Sequence, residues 1–150
     1  MIGPRLSAPT RVVRFRMAND RDAIIPTVDR VLEAVERVGL RNGRRQDLAV
    51  AVSEALSNAA VHGNRLNPDS HVAITVEVQP ETRAVVDVKD SGAGFDVSSL
   101  TDPTEPHRLL APAGRGVYLM QALADEVHYN NKGNRVRLTM YRHKLRRRRS

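Results

Sequence analysis

Short stretches of alternating hydrophobic and polar residues predict the strands of this chain. Apolar side chains alternate with arginines in RVVRFRM (residues 11–17), which is typical of a half-buried strand. The same alternation recurs in HVAITVEV (71–78), RAVVDVKD (83–90) and NRVRLTMY (134–141). The second and third of these strands are joined by the turn residues QPET, so they are expected to form an antiparallel hairpin.

Apolar residues spaced three and four positions apart predict helices between the strands. The first covers residues 22–40 and ends near Gly39. The second covers residues 47–62, and Gly63 suits the left-handed position that commonly follows a helix. The third covers GVYLMQALADEV, residues 116–127.

The order of these elements is β-α-α-β-β-loop-α-β, which favours the α+β class. We expect a two-layer α/β sandwich, in which a mostly antiparallel sheet carries helices on one face. Residues 1–10 are predicted to be a flexible N-terminus, residues 11–141 one domain and residues 142–150 a basic tail. Residues 91–116 show no periodicity, and a loop of this length in a compact domain usually serves as a lid or binding loop.

Composition supports one domain in a reducing compartment. The chain has 150 residues, 41% of them hydrophobic, which suffices for a single core. The absence of cysteine excludes disulfides and thiolate zinc sites. No apolar run reaches the roughly 20 residues that span a bilayer, and the N-terminus lacks the apolar stretch of a signal peptide. We therefore expect a cytoplasmic protein that does not interact with membranes.

Most of the net charge of +7 belongs to the tail RHKLRRRRS, which holds six of the 24 Lys and Arg residues. Residues 1–141 then carry 18 basic and 17 acidic residues, so the domain is nearly neutral. With aromatic residues at 3%, few rings are available to stack on bases. This argues against specific nucleic-acid binding. A protein that binds nucleic acid through its basic tail is therefore a weaker hypothesis than the two that the motifs below suggest.

The predicted second helix carries three polar residues at four-residue steps, Glu54, Asn58 and His62, within LAVAVSEALSNAAVHGN (residues 48–64). On an α-helix this spacing places them on one stripe. A solvated polar face is the simplest interpretation. A metalloprotease helix is excluded because the paired histidines of that motif are absent.

Two glycine-containing segments follow. Asp90 ends a predicted strand, and Gly92 and Gly94 come directly after it, where a ligand could approach the backbone closely. A dinucleotide-binding fingerprint is excluded because Val97 stands in place of its third glycine.

Further along, Gly114, Arg115 and Gly116 lead into the third predicted helix, whose N-terminal N–H groups could bind an anion. Taken singly, each glycine-containing segment is better explained as a tight turn or a flexible helix entry than as a ligand site.

Together, Glu-x3-Asn on a helix, Asp-x-Gly-x-Gly after a strand and Gly-x-Gly opening a helix resemble the N, G1 and G2 boxes of the GHKL (Bergerat-fold) ATPases. That family includes gyrase, Hsp90, histidine kinases and MutL. The resemblance covers about residues 11–141. A single domain with EALSNAAVHG (residues 54–63) and GRGVYLMQALADEV (114–127) is most similar to the anti-sigma-factor serine/threonine kinases of the RsbW and SpoIIAB type.

The resemblance implies a role for each matching residue. It makes Glu54 the general base, Asn58 the Mg2+ ligand and Asp90 the carboxylate that accepts a hydrogen bond from the adenine amino group. It places the purine against the backbone of Gly92 and Gly94. The remaining matches belong to the lid over the ATP phosphates, namely Gly114, Arg115 and Gly116. No role is implied for His62.

The resemblance also implies a function: an ATP- and Mg2+-dependent kinase that phosphorylates a serine of a STAS-type anti-sigma-factor antagonist, sequesters a sigma factor and forms a homodimer. One feature departs from the pattern. The stretch LLAPA (residues 109–113) lacks an arginine before the second Gly-x-Gly, and the nearest cations are Arg108 and Arg115. An ATP-binding regulatory interaction module with little or no kinase activity is therefore the alternative.

Overall fold

One antiparallel sheet organises the computed structural model, which describes residues 8–94 and 112–144, with side chains in the second range from Gly116 onward. The strands lie in the order β1-β2-β3-β5-β4, and all neighbours are antiparallel. Their bounds are β1 Arg11–Ala18, β2 His71–Gln79, β3 Arg83–Lys89, β4 Glu126–Tyr129 and β5 Arg135–Tyr141.

Three α-helices accompany the sheet in the described ranges: α1 Ile24–Ala34, α2 Arg44–Ser57 and α3 Pro112–Leu123. Helix α2 continues without a break into a π-helical turn, Asn58–Gly63. In this turn the Asn64 N–H donates to the Ala59 carbonyl, five residues back, at 2.8 Å. A π-turn is rare and commonly marks a functional site.

The core lies between the helices and one face of the sheet. Because side chains alternate along a strand, the cross-strand registers Val76↔Val86 and Val86↔Leu138 stack apolar residues on that face. Helix side chains complete the same cluster. Burial of each such side chain contributes about 1.5–3 kcal/mol. The fully buried members include Val31, Leu48, Val52, Leu56, Ile74, Val76, Met120 and Leu138.

The opposite sheet face is polar. Asp87 is buried there between two arginines of β5 and accepts hydrogen bonds from Arg135 Nε at 2.7 Å and Arg137 Nε at 3.4 Å. The hydrogen bond and charge of Asp87 raise the pKa of the Arg135 guanidinium. The structure thus confirms the predicted α+β sandwich with helices on one face of an antiparallel sheet.

Several local predictions are wrong. The third helix ends at Leu123 rather than continuing to residue 127, because residues 126–129 form β4 and pair with β5. The helix-like spacing of Val127 hid this strand. In addition, Gly63 is not left-handed; the left-handed residues after the turn are Arg65 (φ 52) and Leu66 (φ 55).

Helix α2 also begins at Arg44 rather than Asp47. Helix α3 begins at Pro112, within the segment predicted as a loop. The rest of that loop, residues 95–111, lies outside the described residues, as do residues 1–7 and 145–150.

Candidate functional site

Glu54, Asn58 and Gly116 meet where α3 packs against the C-terminal part of α2. A Cβ atom built on Gly116 would lie 3.0 Å from Glu54 Oε2 and 3.0 Å from Asn58 Nδ2. Both side chains are partly exposed. The spacing of one helical turn between them is retained, so a carboxylate and a carboxamide face the same region beside α3.

Asp90 lies against two glycines. A Cβ at Gly63 would overlap the Asp90 carboxylate, at 2.6 Å from Oδ1, and a Cβ at Gly92 would lie 2.9 Å from the same oxygen. The Gly92 N–H donates to Asp90 Oδ1 at 2.8 Å. Gly63 is therefore required for the close approach of this carboxylate, which is the physical reason for its position in the sequence.

The backbone of Asp90 is fixed from the β4–β5 turn. The Asp90 N–H donates to the Asn134 carbonyl at 2.9 Å, and Asn134 Nδ2 donates to the Asp90 carbonyl at 3.3 Å. Asn130 Nδ2 in turn donates to Asn134 Oδ1 at 2.7 Å. Two buried or half-buried asparagines thus hold the end of β3 in one place.

The charge state of Asp90 depends on its burial. Desolvation raises the pKa of the Asp90 carboxyl above its ordinary value of 3.8, against the lowering effects of the Gly92 hydrogen bond and the positive charge of Lys132. Its side chain keeps only a small exposed area. The carboxylate is thus poised to recognise a hydrogen-bond donor in a sheltered position.

Asn64 connects three elements around Asp90. Its side chain is buried, with Oδ1 accepting the Ser91 N–H at 2.8 Å and Nδ2 donating to the His71 carbonyl at 3.1 Å. It therefore ties the π-turn to the start of β2 and to the residue that follows Asp90.

The π-turn joins the two halves of the site. Asn58 begins the turn, and Gly63, which contacts Asp90, ends it. His62 is exposed. A π-turn has more residues per turn than an α-helix, so positions four apart within it do not stack. The predicted stripe of three residues is consequently a pair, Glu54 and Asn58.

The remaining predicted residues lie around these groups. Gly94 is left-handed (φ 78), and a Cβ there would overlap the Lys132 carbonyl, so the β4–β5 turn packs on this backbone. Gly114 and Arg115 belong to the first turn of α3. The side chain of Arg115 and the whole of Arg108 lie outside the described residues.

Gly63 was noted from the sequence only as a helix end, and three contributors were missed: Asn64, Asn130 and Asn134. The run of asparagines around NNKGN was the only signal for the last two. Nothing local marked Asn64, since its partners are distant in the chain.

Comparisons with known proteins identify the family and the fold of this chain. A model of the histidine kinase-like ATPase domain matches residues 17–140. The chain belongs to this family. A solved structure of the RsbU and RsbW domains of a Mycobacterium tuberculosis protein has the same fold, with a TM-score of 0.59 and 16% identity over 89% of this chain and 32% of that one.

Curated relatives within the family are named as kinases. The chain is 35% identical over 112 residues to the serine-protein kinase RsbW of Bacillus subtilis, covering 70% of this chain and 69% of that protein. It is 32% identical over 102 residues to that of Oceanobacillus iheyensis, covering 64% of each. These relatives confirm the resemblance to the RsbW type and support the prediction of a serine/threonine kinase.

Membership of an ATPase family implies that ATP is used. Within residues 8–94 and 112–144, no helix is long and apolar enough to cross a membrane. The same residues contain no group of three or more His, Cys, Asp or Glu side chains that could hold a metal ion.

Proposed function

We propose that the chain is an ATP-dependent anti-sigma-factor kinase that phosphorylates a serine of a STAS-type antagonist and sequesters a sigma factor, acting as a homodimer in the cytoplasm. The observation that carries this proposal is the pairing of Glu54 and Asn58 against Gly116, with Asp90 seated at the far end of the same π-turn. The names of the relatives support a serine acceptor.

Adenine recognition is assigned to Asp90. The Gly92 N–H occupies Oδ1, so Oδ2 is the oxygen available to the adenine amino group. Guanine presents a carbonyl at that position and would meet an ionised carboxylate with repulsion. The close packing of Gly63 and Gly92 supports this assignment. A Cβ on Gly63 would overlap the carboxylate, and a Cβ on Gly92 would overlap the Gly63 carbonyl and lie 2.9 Å from Asp90 Oδ1.

Glu54 is assigned as the general base. The acceptor serine Oγ forms a bond to the terminal phosphorus, the bond from that phosphorus to the bridging oxygen breaks, ADP leaves, and the serine proton goes to Glu54. Its place one helical turn from Asn58 puts the base on the phosphate side of the site.

Mg2+ would be held by the side-chain oxygen of Asn58. One protein ligand fits this ion, which takes its other ligands from phosphate oxygens and water. When bound, the ion offsets phosphate charge; Gly114 and Arg115, in the first turn of α3, are assigned to the phosphates themselves.

The proposal is tested by incubating the protein with Mg-ATP and a STAS-type antagonist and locating the label. We expect phosphoserine on the antagonist, at least about a hundredfold less of it with Glu54→Gln, and ATP binding weakened at least about tenfold with Asp90→Asn. ATP binding without any labelled serine in the wild type would contradict the kinase assignment.

An ATP-binding interaction module without catalysis is the second candidate. It is favoured by LLAPA, which provides no cation before Gly114. This candidate predicts that Asn58→Ala, which removes the proposed Mg2+ ligand, regulates the sigma factor as the wild type does. The kinase assignment predicts that the same variant no longer releases the sigma factor by phosphorylating the antagonist.

A further inference from the structure

Asn64 stands next to the adenine-recognition group without belonging to any of the motifs. It is 6% exposed, and both polar atoms of its side chain are hydrogen bonded. Its own N–H closes the π-turn at Ala59. A buried amide with every group satisfied between three elements specifies one arrangement of those elements.

The bond to Ser91 bears directly on Asp90. Asn134 holds the Asp90 backbone on one side of the strand end, and Asn64 holds the next N–H, that of Ser91, at 2.8 Å. The peptide between Asp90 and Ser91 therefore cannot rotate freely. This fixes the direction in which the Asp90 carboxylate leaves the strand, above Gly63.

We infer that Asn64 is a positioning residue that sets the preference of this site for adenine over guanine, by fixing the Asp90–Ser91 peptide and with it the direction of the Asp90 carboxylate. The inference rests on the proposed function. A misdirected carboxylate no longer accepts a hydrogen bond from the adenine amino group, and it no longer faces the guanine carbonyl to repel it. Both changes reduce the difference between the affinities for the two purines.

Asn19 provides a matched control. It is 7% exposed, and its Nδ2 donates to the Asn67 carbonyl at 3.0 Å, so it anchors the same loop after the π-turn. It has no hydrogen bond to residues 90–92 in the described structure. Asn19→Ala removes a buried asparagine and its hydrogen bond to the loop, but it leaves the hydrogen bond between Asn64 and the Ser91 N–H in place.

The experiment is calorimetric titration of the full chain with Mg-ATP and Mg-GTP. The wild type is expected to prefer ATP. Asn64→Ala should lower the ratio of the two affinities at least about tenfold, which corresponds to about 1.4 kcal/mol. Asn19→Ala should leave the ratio unchanged. Equal ratios in Asn64→Ala and wild type would overturn the inference.

Asn64→Asp separates positioning from general stability. Its carboxylate still accepts the Ser91 N–H but no longer donates to the His71 carbonyl. The ratio of the ATP and GTP affinities should match that of the wild type at pH 8, because the bond that holds Ser91 is kept. A ratio lowered at least about tenfold in Asn64→Asp at pH 8 would overturn the inference, even if Asn64→Ala does not fold.

The two proposals fail differently. A wild type that binds neither nucleotide refutes the proposed function and the inference with it. A wild type that binds and distinguishes ATP, with Asn64 variants that distinguish it equally well, refutes the role of Asn64 alone.

Discussion

At the scale of single residues, Gly63 and Asp90 show that the absence of a side chain can define a site. The Cβ that Gly63 lacks would overlap the carboxylate, and displacing that carboxylate removes the hydrogen-bond acceptor proposed for adenine. The backbone of Gly63 does not require glycine, because its φ is not left-handed; the requirement comes from the missing side chain alone.

Gly63→Ala should therefore weaken ATP binding at least about tenfold and destabilise the fold by about 1–3 kcal/mol through overpacking. Gly43→Ala is the matched control. Gly43 is left-handed (φ 78) with no atom near its missing Cβ, so alanine there costs about 1–2 kcal/mol of backbone strain. ATP titration of both variants tests this prediction. Equal ATP affinities in the two variants would show that the contact between Gly63 and Asp90 does not matter for binding.

The raised pKa of Asp90 predicts how ATP binding depends on pH. The ionised carboxylate accepts a hydrogen bond from the adenine amino group. Desolvation raises the pKa of the Asp90 carboxyl above its ordinary value of 3.8. Affinity should be full well above the raised pKa and fall as the pH drops through it, at a higher pH than for an ordinary aspartate. In Asp90→Asn this component of the pH dependence should vanish, and its persistence would assign it to another group.

At the scale of elements, the packing of α3 on α2 places Gly116 against Glu54 and Asn58. Gly116 allows this approach, because an alanine Cβ would lie 3.0 Å from a polar atom of each side chain. A shift of a few tenths of an ångström must follow from the substitution, at the residues proposed to orient the reacting groups.

Gly116→Ala should reduce the phosphotransfer rate at least about tenfold, because small misplacements of reacting groups are costly. The substitution should nonetheless raise helix stability by up to about 1 kcal/mol. Ala122→Gly, at an exposed position of the same helix, should do the reverse: lower stability by about 1 kcal/mol and leave the rate unchanged. Single-turnover kinetics and thermal unfolding together distinguish the two.

The start of α2 is anchored by a buried ion pair. Arg44 pairs with Asp125, and its Nε donates to the Tyr141 carbonyl at 2.8 Å, while the Tyr141 N–H donates to Asp125 Oδ2 at 2.8 Å. The pair joins α2, the segment between α3 and β4, and the end of β5. Removing one partner leaves a buried charge uncompensated.

Arg44→Ala should lower the free energy of unfolding by about 3–5 kcal/mol. Arg45→Ala, at the neighbouring exposed position, should change it by less than about 0.5 kcal/mol. Denaturant unfolding gives both values, and a loss below about 1 kcal/mol for Arg44→Ala would show that the pair is dispensable.

At the scale of the whole molecule, the backbone hydrogen bonds of the domain extend to Arg142. Its N–H donates to the Thr82 carbonyl at 2.8 Å, and its carbonyl accepts the Arg41 N–H at 3.1 Å. The predicted basic tail therefore begins with a residue whose backbone is bonded to two other segments.

Removing residues 145–150 should leave the melting temperature unchanged within about 1 °C and leave ATP binding intact. Removing residues 142–150 should lower the melting temperature by roughly 2–8 °C, since two hydrogen bonds contribute about 1 kcal/mol each. Differential scanning calorimetry separates these outcomes. Equal melting temperatures for the two truncations would show that Arg142 contributes nothing.

The sequence predicted those elements whose pattern is local. Strands β2 and β3 alternate regularly, so their pairing followed from the short turn between them. Strand β4 was missed because Val127 fits helical spacing as well, and only pairing with β5 makes it a strand. In such short segments the pattern fits a helix and a strand equally well, and tertiary pairing determines which of the two forms.

The site divides in the same way. Glu54, Asn58 and Asp90 were proposed from the sequence because each lies in a contiguous motif. Asn64 and Asn134 were not, because they act on residues 27 and 44 positions away. Gly63 was found for a wrong reason: a helix end was expected, and the carboxylate of a distant strand end was its actual neighbour.

The π-turn has a consequence for protein design. Straightening residues 58–63 into a regular α-helix, as idealised backbones require, would preserve the approach of Glu54 to Asn58. It would also rotate Gly63 about the helix axis and away from Asp90, since each residue of an α-helix turns by about 100°. A redesigned chain could then become more stable and keep its phosphate-side residues in register, yet no longer hold a purine.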